Sequence, residues 1–135
     1  MSTRAIIAVP KSNGGYATAW NWCDSMPDSL GRELHTYFMD KASIQELLDL
    51  HSFDCICGEK LKNELMREFP EQHQGDKDGK FVRLSNNRYV LMFPHHGKVV
   101  DGREPDGHFD TIDDMLGCDI NYVYVFEDGK WKTYK

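Results

Sequence analysis

Basic residues are scarce in this chain of 135 residues, where 16 lysines and arginines stand against 22 aspartates and glutamates and give a net charge of -6. Proteins that bind DNA or RNA non-specifically must neutralise many phosphates, so this balance argues against a nucleic-acid polymer as partner. One small anion could still be held in a local basic pocket. Seven of the acids lie between residues 101 and 119, where the only base is Arg103.

Long apolar runs are also missing. No stretch approaches the roughly 18 residues of a membrane span, and the first ten residues lack the features of a signal peptide. Hydrophobic residues make up 40% of the chain, enough for a core, and the length fits one domain over residues 1–135. We therefore expect a cytoplasmic single-domain protein with no membrane partner.

The four cysteines are too far apart to form a compact disulfide framework. Cys55 and Cys57 form a C-x-C pair, not the C-x-x-C of redox and zinc-ribbon motifs, and Cys23 and Cys118 are isolated. Since His51 precedes Cys55 by four residues, a zinc site is an alternative. We expect reduced cysteines that act as small hydrophobes, with no bound metal and no other cofactor.

Turn signals between alternating segments predict three β-hairpins. They join residues 4–9 to 16–22, 81–84 to 89–93 and 120–126 to 131–134.

Apolar residues at helical spacing predict two to three helices between the first two hairpins. The first ends near Met39, the second is capped by Ser43 with Glu46 completing a capping box, and the third covers residues 59–69. Residues 111–114 predict a further helical turn, capped at Thr111 and running to Leu116. We predict an α+β fold, with an antiparallel sheet of about six strands in three hairpins and two to three helices on one face.

Both ends of the chain resemble a group of small, mostly uncharacterised phage and bacterial proteins. In these proteins a Thr-Arg strand and a hairpin lead into a Trp-Asp-Gly-Tyr-Pro-type loop and a Leu-rich helix. The matching residues here are Thr3, Arg4, Trp22, Asp24, Pro27, Gly31 and Leu34, and residues 122–126 and 128–131 match the family's Tyr-Val-Tyr strand and Asp-Gly-Lys-Trp turn. Cys23, Ser25 and Met26 interrupt the loop motif. The resemblance implies a fold and a phage context.

In size and α+β layout the chain is also similar to phage anti-defence proteins that sequester the signalling nucleotides of Thoeris- or CBASS-type immunity. This similarity implies a homo-oligomer in the host cytoplasm that binds a cyclic oligonucleotide or a cyclic ADP-ribose derivative. It implies immune evasion by a non-enzymatic sponge, with no catalytic residue. No binding residue is carried over from that family.

Arginine, asparagine and aromatic side chains are the residue types that such a ligand needs. Cations hold phosphate, aromatic rings stack on a base, and amides read a base edge. The candidate ligand-binding residues are Arg4, Trp22, Phe81, Arg83, Asn86, Asn87, Arg88, His95 and Arg103.

Two other functions stay open. The acidic stretch over residues 101–119 suits an inhibitor that contacts a host defence protein directly. The histidines and aspartates of residues 95–114 suit a metal-dependent phosphodiesterase, although no recognised hydrolase motif is present.

Overall fold

The computed structural model describes residues 3–68, 80–92 and 108–135. These residues form eight strands, four α-helices and a π-helical turn at Pro27–Gly31. In chain order the elements are β1 (Ala5–Pro10), β2 (Tyr16–Asn21), α1 (Arg32–Tyr37), α2 (Lys41–Leu50), β3 (Ser52–Phe53), β4 (Cys55–Cys57), α3 (Glu59–Glu68), β5 (Lys80–Arg83), β6 (Tyr89–Met92), α4 (Ile112–Leu116), β7 (Tyr122–Glu127) and β8 (Lys130–Tyr134). The predicted α+β class is confirmed. None of the helices in the described ranges is long and apolar enough to cross a membrane.

Strand β1 lies at the centre of a five-stranded sheet with the order β3-β2-β1-β7-β8. It pairs antiparallel with β2 and parallel with β7, and β2 pairs parallel with β3. Residues 5–8 of β1 are all buried. A continuous apolar segment of this kind is expected where a strand has neighbours on both sides and both of its faces are covered.

A second sheet has the order β4-β6-β5 and is antiparallel. The three predicted hairpins are confirmed as β1–β2, β5–β6 and β7–β8. The prediction of one antiparallel sheet is wrong, because the strands divide into two sheets and the larger one is mixed. Hairpin pairing depends on local turn residues, whereas the parallel β1–β7 pairing joins segments more than a hundred residues apart, which no local pattern records.

Alternate residues of β1 enter two separate cores. Ile7 packs with residues of α1, α2 and the second sheet, whereas Ile6 packs with Phe109 and with Met115 of α4 on the opposite face. Helices therefore cover both faces of the five-stranded sheet, and the prediction that they share one face is wrong for α4. Its short sequence shows that a helical turn forms but not which face of the sheet it covers.

Helix α2 is capped by Asp40 and not by Ser43. The Asp40 carboxylate accepts a hydrogen bond from the Ser43 backbone N–H at 2.8 Å. Glu46, predicted to complete a capping box, instead accepts hydrogen bonds from the backbone N–H and hydroxyl of Ser85. The predicted Thr111 cap is confirmed, because its hydroxyl accepts from the Asp114 N–H at 3.0 Å.

We expect Asp40→Ala to lower the free energy of unfolding by about 1 kcal/mol, because it leaves a first-turn N–H of α2 without its acceptor. Asp49→Ala is the matched control, since it removes an exposed carboxylate from the last turn of the same helix, where a negative charge is unfavourable. Urea unfolding of both variants measures the difference. Equal losses of stability would contradict the assigned cap.

Candidate functional site

Arg4 and Trp22, two of the predicted ligand-binding residues, lie on the α4 face of the five-stranded sheet. The Arg4 guanidinium forms an ion pair with Asp119 at 2.5 Å and lies 5.6 Å from the centre of the Trp22 ring. Trp22 Nε1 donates to the Ser52 hydroxyl at 2.7 Å, and its ring stacks on Trp20. Both side chains are thus engaged within the protein.

Four further candidates surround the turn between β5 and β6. Arg83 donates to the side-chain oxygen of Asn87 at 2.5 Å, and Asn86 donates to the Tyr37 carbonyl at 2.8 Å. Asn87 adopts a left-handed backbone conformation with φ of 66°, which asparagine tolerates better than most residues. The asparagines therefore build the turn and attach it to α1.

The structure brings Arg83, Asn86, Asn87 and Arg88 together, but not with Arg4 and Trp22. The β5–β6 hairpin contributes Leu84 and Val90 to the core on the other face of the large sheet. Phe81 is half-buried on β5. His95 and Arg103 lie outside the described residues. The candidates that are described thus occupy two separate regions.

Arg88 is the candidate with the most defined surroundings. Its Nε and Nη2 atoms donate to the two carboxylate oxygens of Glu33, the second at 2.7 Å. Its guanidinium carbon lies 3.9 Å from the centre of the Tyr37 ring. Desolvation, the largest influence, lowers the pKa of Arg88, but the hydrogen bonds and charge of Glu33 outweigh it and the pKa is raised. The guanidinium is therefore charged and fixed in orientation.

Beside this ion pair lies a cleft of about 510 Å³, which we call the Arg88 cleft. Its walls come from the Asp24 loop, the π-helical turn, strand β4, the start of α3 and the Arg88–Glu33 pair. The lining residues are Asp24, Ser29, Leu30, Glu33, Ile56, Cys57, Gly58, Lys60, Leu61, Glu64 and Arg88.

Gly58, at the turn from β4 into α3, gives Arg88 room at one end of the cleft. A Cβ atom at this position would lie 2.6 Å from Arg88 Nη1, the guanidinium nitrogen that is not part of the Glu33 contact. Nη1 therefore lies next to the residue that precedes α3. The N–H groups of a helix's first turn have no acceptor within the helix and carry partial positive charge.

The Arg88 cleft thus has a cationic end and an apolar side. Arg88 Nη1, the start of α3 and Lys60 attract an anion, while Leu30, Ile56 and Leu61 supply apolar surface. The acids of the lining restrict where an anion can lie. The arrangement suits a ligand with one anionic group and one flat apolar part.

Cys55 and Cys57 occupy β4, next to this cleft, and are buried free thiols. A hydrogen bond from Cys55 lowers the pKa of Cys57, and the same bond raises the pKa of Cys55. Among the described residues no three potential ligands are close enough to hold a metal ion, and His51 is exposed at the end of α2.

Glu33 and Gly58 both shape the cleft and were not among the residues predicted from the sequence. Glu33 is 55 residues from Arg88, so no local pattern links them. Gly58 did carry a signal, because a glycine between a short apolar segment and a helix marks a tight strand-to-helix turn.

Metal catalysis was proposed for residues 95–114, of which the structure describes residues 108–114. There His108 contacts the Asp110 carboxylate at 2.8 Å and Lys11 Nζ at 3.0 Å. Residues 93–107, which include His95, His96 and the first three acids of that region, lie outside the described residues.

A second cleft, of about 650 Å³, lies between α2 and the β7–β8 turn. Lys41, Gln45 and Phe126 line it together with the acidic pair Glu127 and Asp128. It includes none of the candidate ligand-binding residues predicted from the sequence.

In comparisons with known proteins, no family model, curated protein sequence or solved structure matches this chain. The assignment of a function therefore depends on the geometry of the Arg88 cleft itself.

Proposed function

We propose that the chain binds a small phosphate-bearing nucleotide in the Arg88 cleft and sequesters it without cleaving it. One observation carries this proposal. Arg88 Nη1, the Gly58 turn and the start of α3 lie together at one end of a cleft whose side is apolar. The volume of about 510 Å³ lies within the usual range of small-molecule sites.

Arg88 binds the phosphate in this proposal through Nη1 only. Glu33 already occupies Nε and Nη2, and Tyr37 supports one face of the guanidinium. A side chain held in this way loses little conformational freedom when a ligand arrives, which favours affinity. Lys60 and the first N–H groups of α3 add to the positive charge around the phosphate.

The base lies against the apolar side of the cleft, formed by Leu30, Ile56 and Leu61. Glu33, Glu64 and Asp24 line the same cleft and can accept hydrogen bonds from the amino groups of a base. This differs from the arrangement expected from the sequence, in which Trp22 or Phe81 stacks on the base and Asn86 or Asn87 reads its edge.

The proposal includes a homo-oligomer, because the described part of the chain leaves apolar surface of α3 exposed. None of its residues is buried, and Leu61 and Met66 are 44% and 38% exposed. Leu61 also lines the cleft, so a second copy that covers α3 would deepen the site. The biological setting that we propose is that of a phage-type anti-defence protein acting in the host cytoplasm.

Gly58→Ala is expected to weaken nucleotide binding at least about tenfold, since its methyl group displaces a hydrogen-bond donor of a charged group. Calorimetric titration with cyclic di- and trinucleotides and with ADP-ribose isomers measures the affinity. Gly117→Ala is the matched control, because it adds a methyl group after helix α4 and away from the cleft.

The possible outcomes separate the candidate functions. The proposal fails if the unchanged protein binds none of these nucleotides, and the site is misplaced if Gly58→Ala binds as tightly as Gly117→Ala. Consumption of a nucleotide in the presence of Mg²⁺ or Mn²⁺ supports the phosphodiesterase that uses residues 95–114. Capture of one host defence protein without nucleotide supports the acidic inhibitor.

A further inference from the structure

Cys55 and Cys57 lie on the same side of β4, because side chains two residues apart on a strand share a face. They are 8% and 2% exposed, and the two thiols are close enough to shift each other's pKa in opposite directions. Strand β4 has three residues and, among the strands that the structure describes, lies at a sheet edge and pairs with β6 alone. Two thiols are thus held next to each other on a short strand with one hydrogen-bonded neighbour.

The surroundings of the two thiols are unequal. Cys57 lines the Arg88 cleft and is separated by one residue from the start of α3, whose partial positive charge stabilises a thiolate. The hydrogen bond from Cys55 lowers the pKa of Cys57 most, and Arg88 and Lys62 lower it further, against burial and the charge of Glu33. Cys55 lacks the contact with the cleft and keeps its proton.

We propose that Cys57 is an oxidation-sensitive thiol that reacts with a small hydroperoxide and is then joined to Cys55 in a disulfide. In the first step the Cys57 thiolate attacks one oxygen of hydrogen peroxide, the O–O bond breaks, and the products are a sulfenic acid and hydroxide. In the second step the Cys55 sulfur attacks the Cys57 sulfur, the S–O bond breaks, and the oxygen leaves as water with the Cys55 proton. The two sulfurs supply the two electrons that reduce the peroxide.

The disulfide requires β4 to leave its extended conformation locally. Side chains two residues apart on one face of a strand are about 6.6 Å apart, whereas a disulfide brings the two Cβ atoms to about 3.5–4.5 Å. The Gly58 turn follows directly, so the movement reaches the cleft wall next to Arg88 Nη1. If the proposed nucleotide binding holds, oxidation changes ligand affinity; the thiol chemistry itself does not depend on that function.

The test treats the full chain with hydrogen peroxide, blocks remaining thiols and maps the tryptic peptides by mass spectrometry. Cys55 and Cys57 share the peptide of residues 42–60, which contains no other cysteine. We expect this peptide to lose the mass of two hydrogens, to regain it with dithiothreitol, and to react at least about ten times faster than Cys118. A disulfide that includes Cys23, or equal rates at all four cysteines, would overturn the proposal.

Two single substitutions distinguish the roles of the two thiols. In Cys55→Ser we expect Cys57 to stop at a sulfenic acid that dimedone traps, and in Cys57→Ser we expect the oxidation rate of Cys55 to fall at least about tenfold. Cys118→Ser is the control and keeps the disulfide. The mass of the peptide of residues 42–60 is measured in the unchanged protein. The proposal can therefore be tested even if a variant fails to fold. The readout contains no nucleotide, so it is independent of the proposed binding.

Discussion

Phe53→Ala is expected to lower the free energy of unfolding by about 4 kcal/mol, within the usual cost of removing a buried phenylalanine ring. The Phe53 side chain has no exposed surface and belongs to the larger core. Its position links the two sheets: its carbonyl accepts from the Trp22 N–H at 3.0 Å, and the N–H of the next residue, Asp54, donates to the Leu91 carbonyl at 2.7 Å. The surroundings therefore cannot collapse easily into the space that the ring leaves.

Phe81→Ala is the matched control for this prediction, because Phe81 is half-buried on β5. We expect it to cost about 1–2 kcal/mol, in proportion to the smaller apolar area that it removes from water. Urea unfolding followed by far-ultraviolet circular dichroism measures both variants. Losses of equal size would show that the Phe53 ring contributes no more to the core than the half-buried Phe81 ring does.

The strands around Phe53 show which pairings could be predicted from the sequence and which could not. Each hairpin was predictable because its turn residues specify the pairing of two neighbouring segments. Strands β3 and β4 have two and three residues. Segments this short contain too few residues for an alternating pattern to indicate a strand. Their assignment to different sheets depends on β2 and β6, which are distant in sequence.

The candidate site shows the same division between local and distant information. Asn86 and Asn87 stood out because of their residue type, but that type serves the turn, and their side chains contact Tyr37 and Arg83. Arg88 follows them directly in the sequence and belongs to the same turn region. Its partner Glu33 comes from α1, and only the folded chain shows that two of its three nitrogens are already occupied.

The Arg88–Glu33 pair carries the second large prediction. Arg88→Met is expected to cost about 3 kcal/mol, because it leaves the Glu33 carboxylate, only 12% exposed, without its partner. Glu33→Leu leaves the Arg88 charge unpaired and should cost a similar amount. The double variant is expected to regain most of the loss, since two apolar side chains of similar size leave no buried charge. A double-mutant cycle in urea gives the coupling energy.

The Arg4–Asp119 pair provides the control for that cycle, because Asp119 is 82% exposed. Its coupling energy should not exceed about 0.5 kcal/mol, as is usual for surface pairs, whereas the Arg88–Glu33 pair should exceed about 2 kcal/mol. Equal values would mean that water screens both pairs alike and that Glu33 does not fix the guanidinium. If the coupling energy of the Arg88–Glu33 pair is much larger, Glu33 holds Arg88 with Nη1 toward Gly58. A phosphate group can then bind Nη1 without breaking the ion pair.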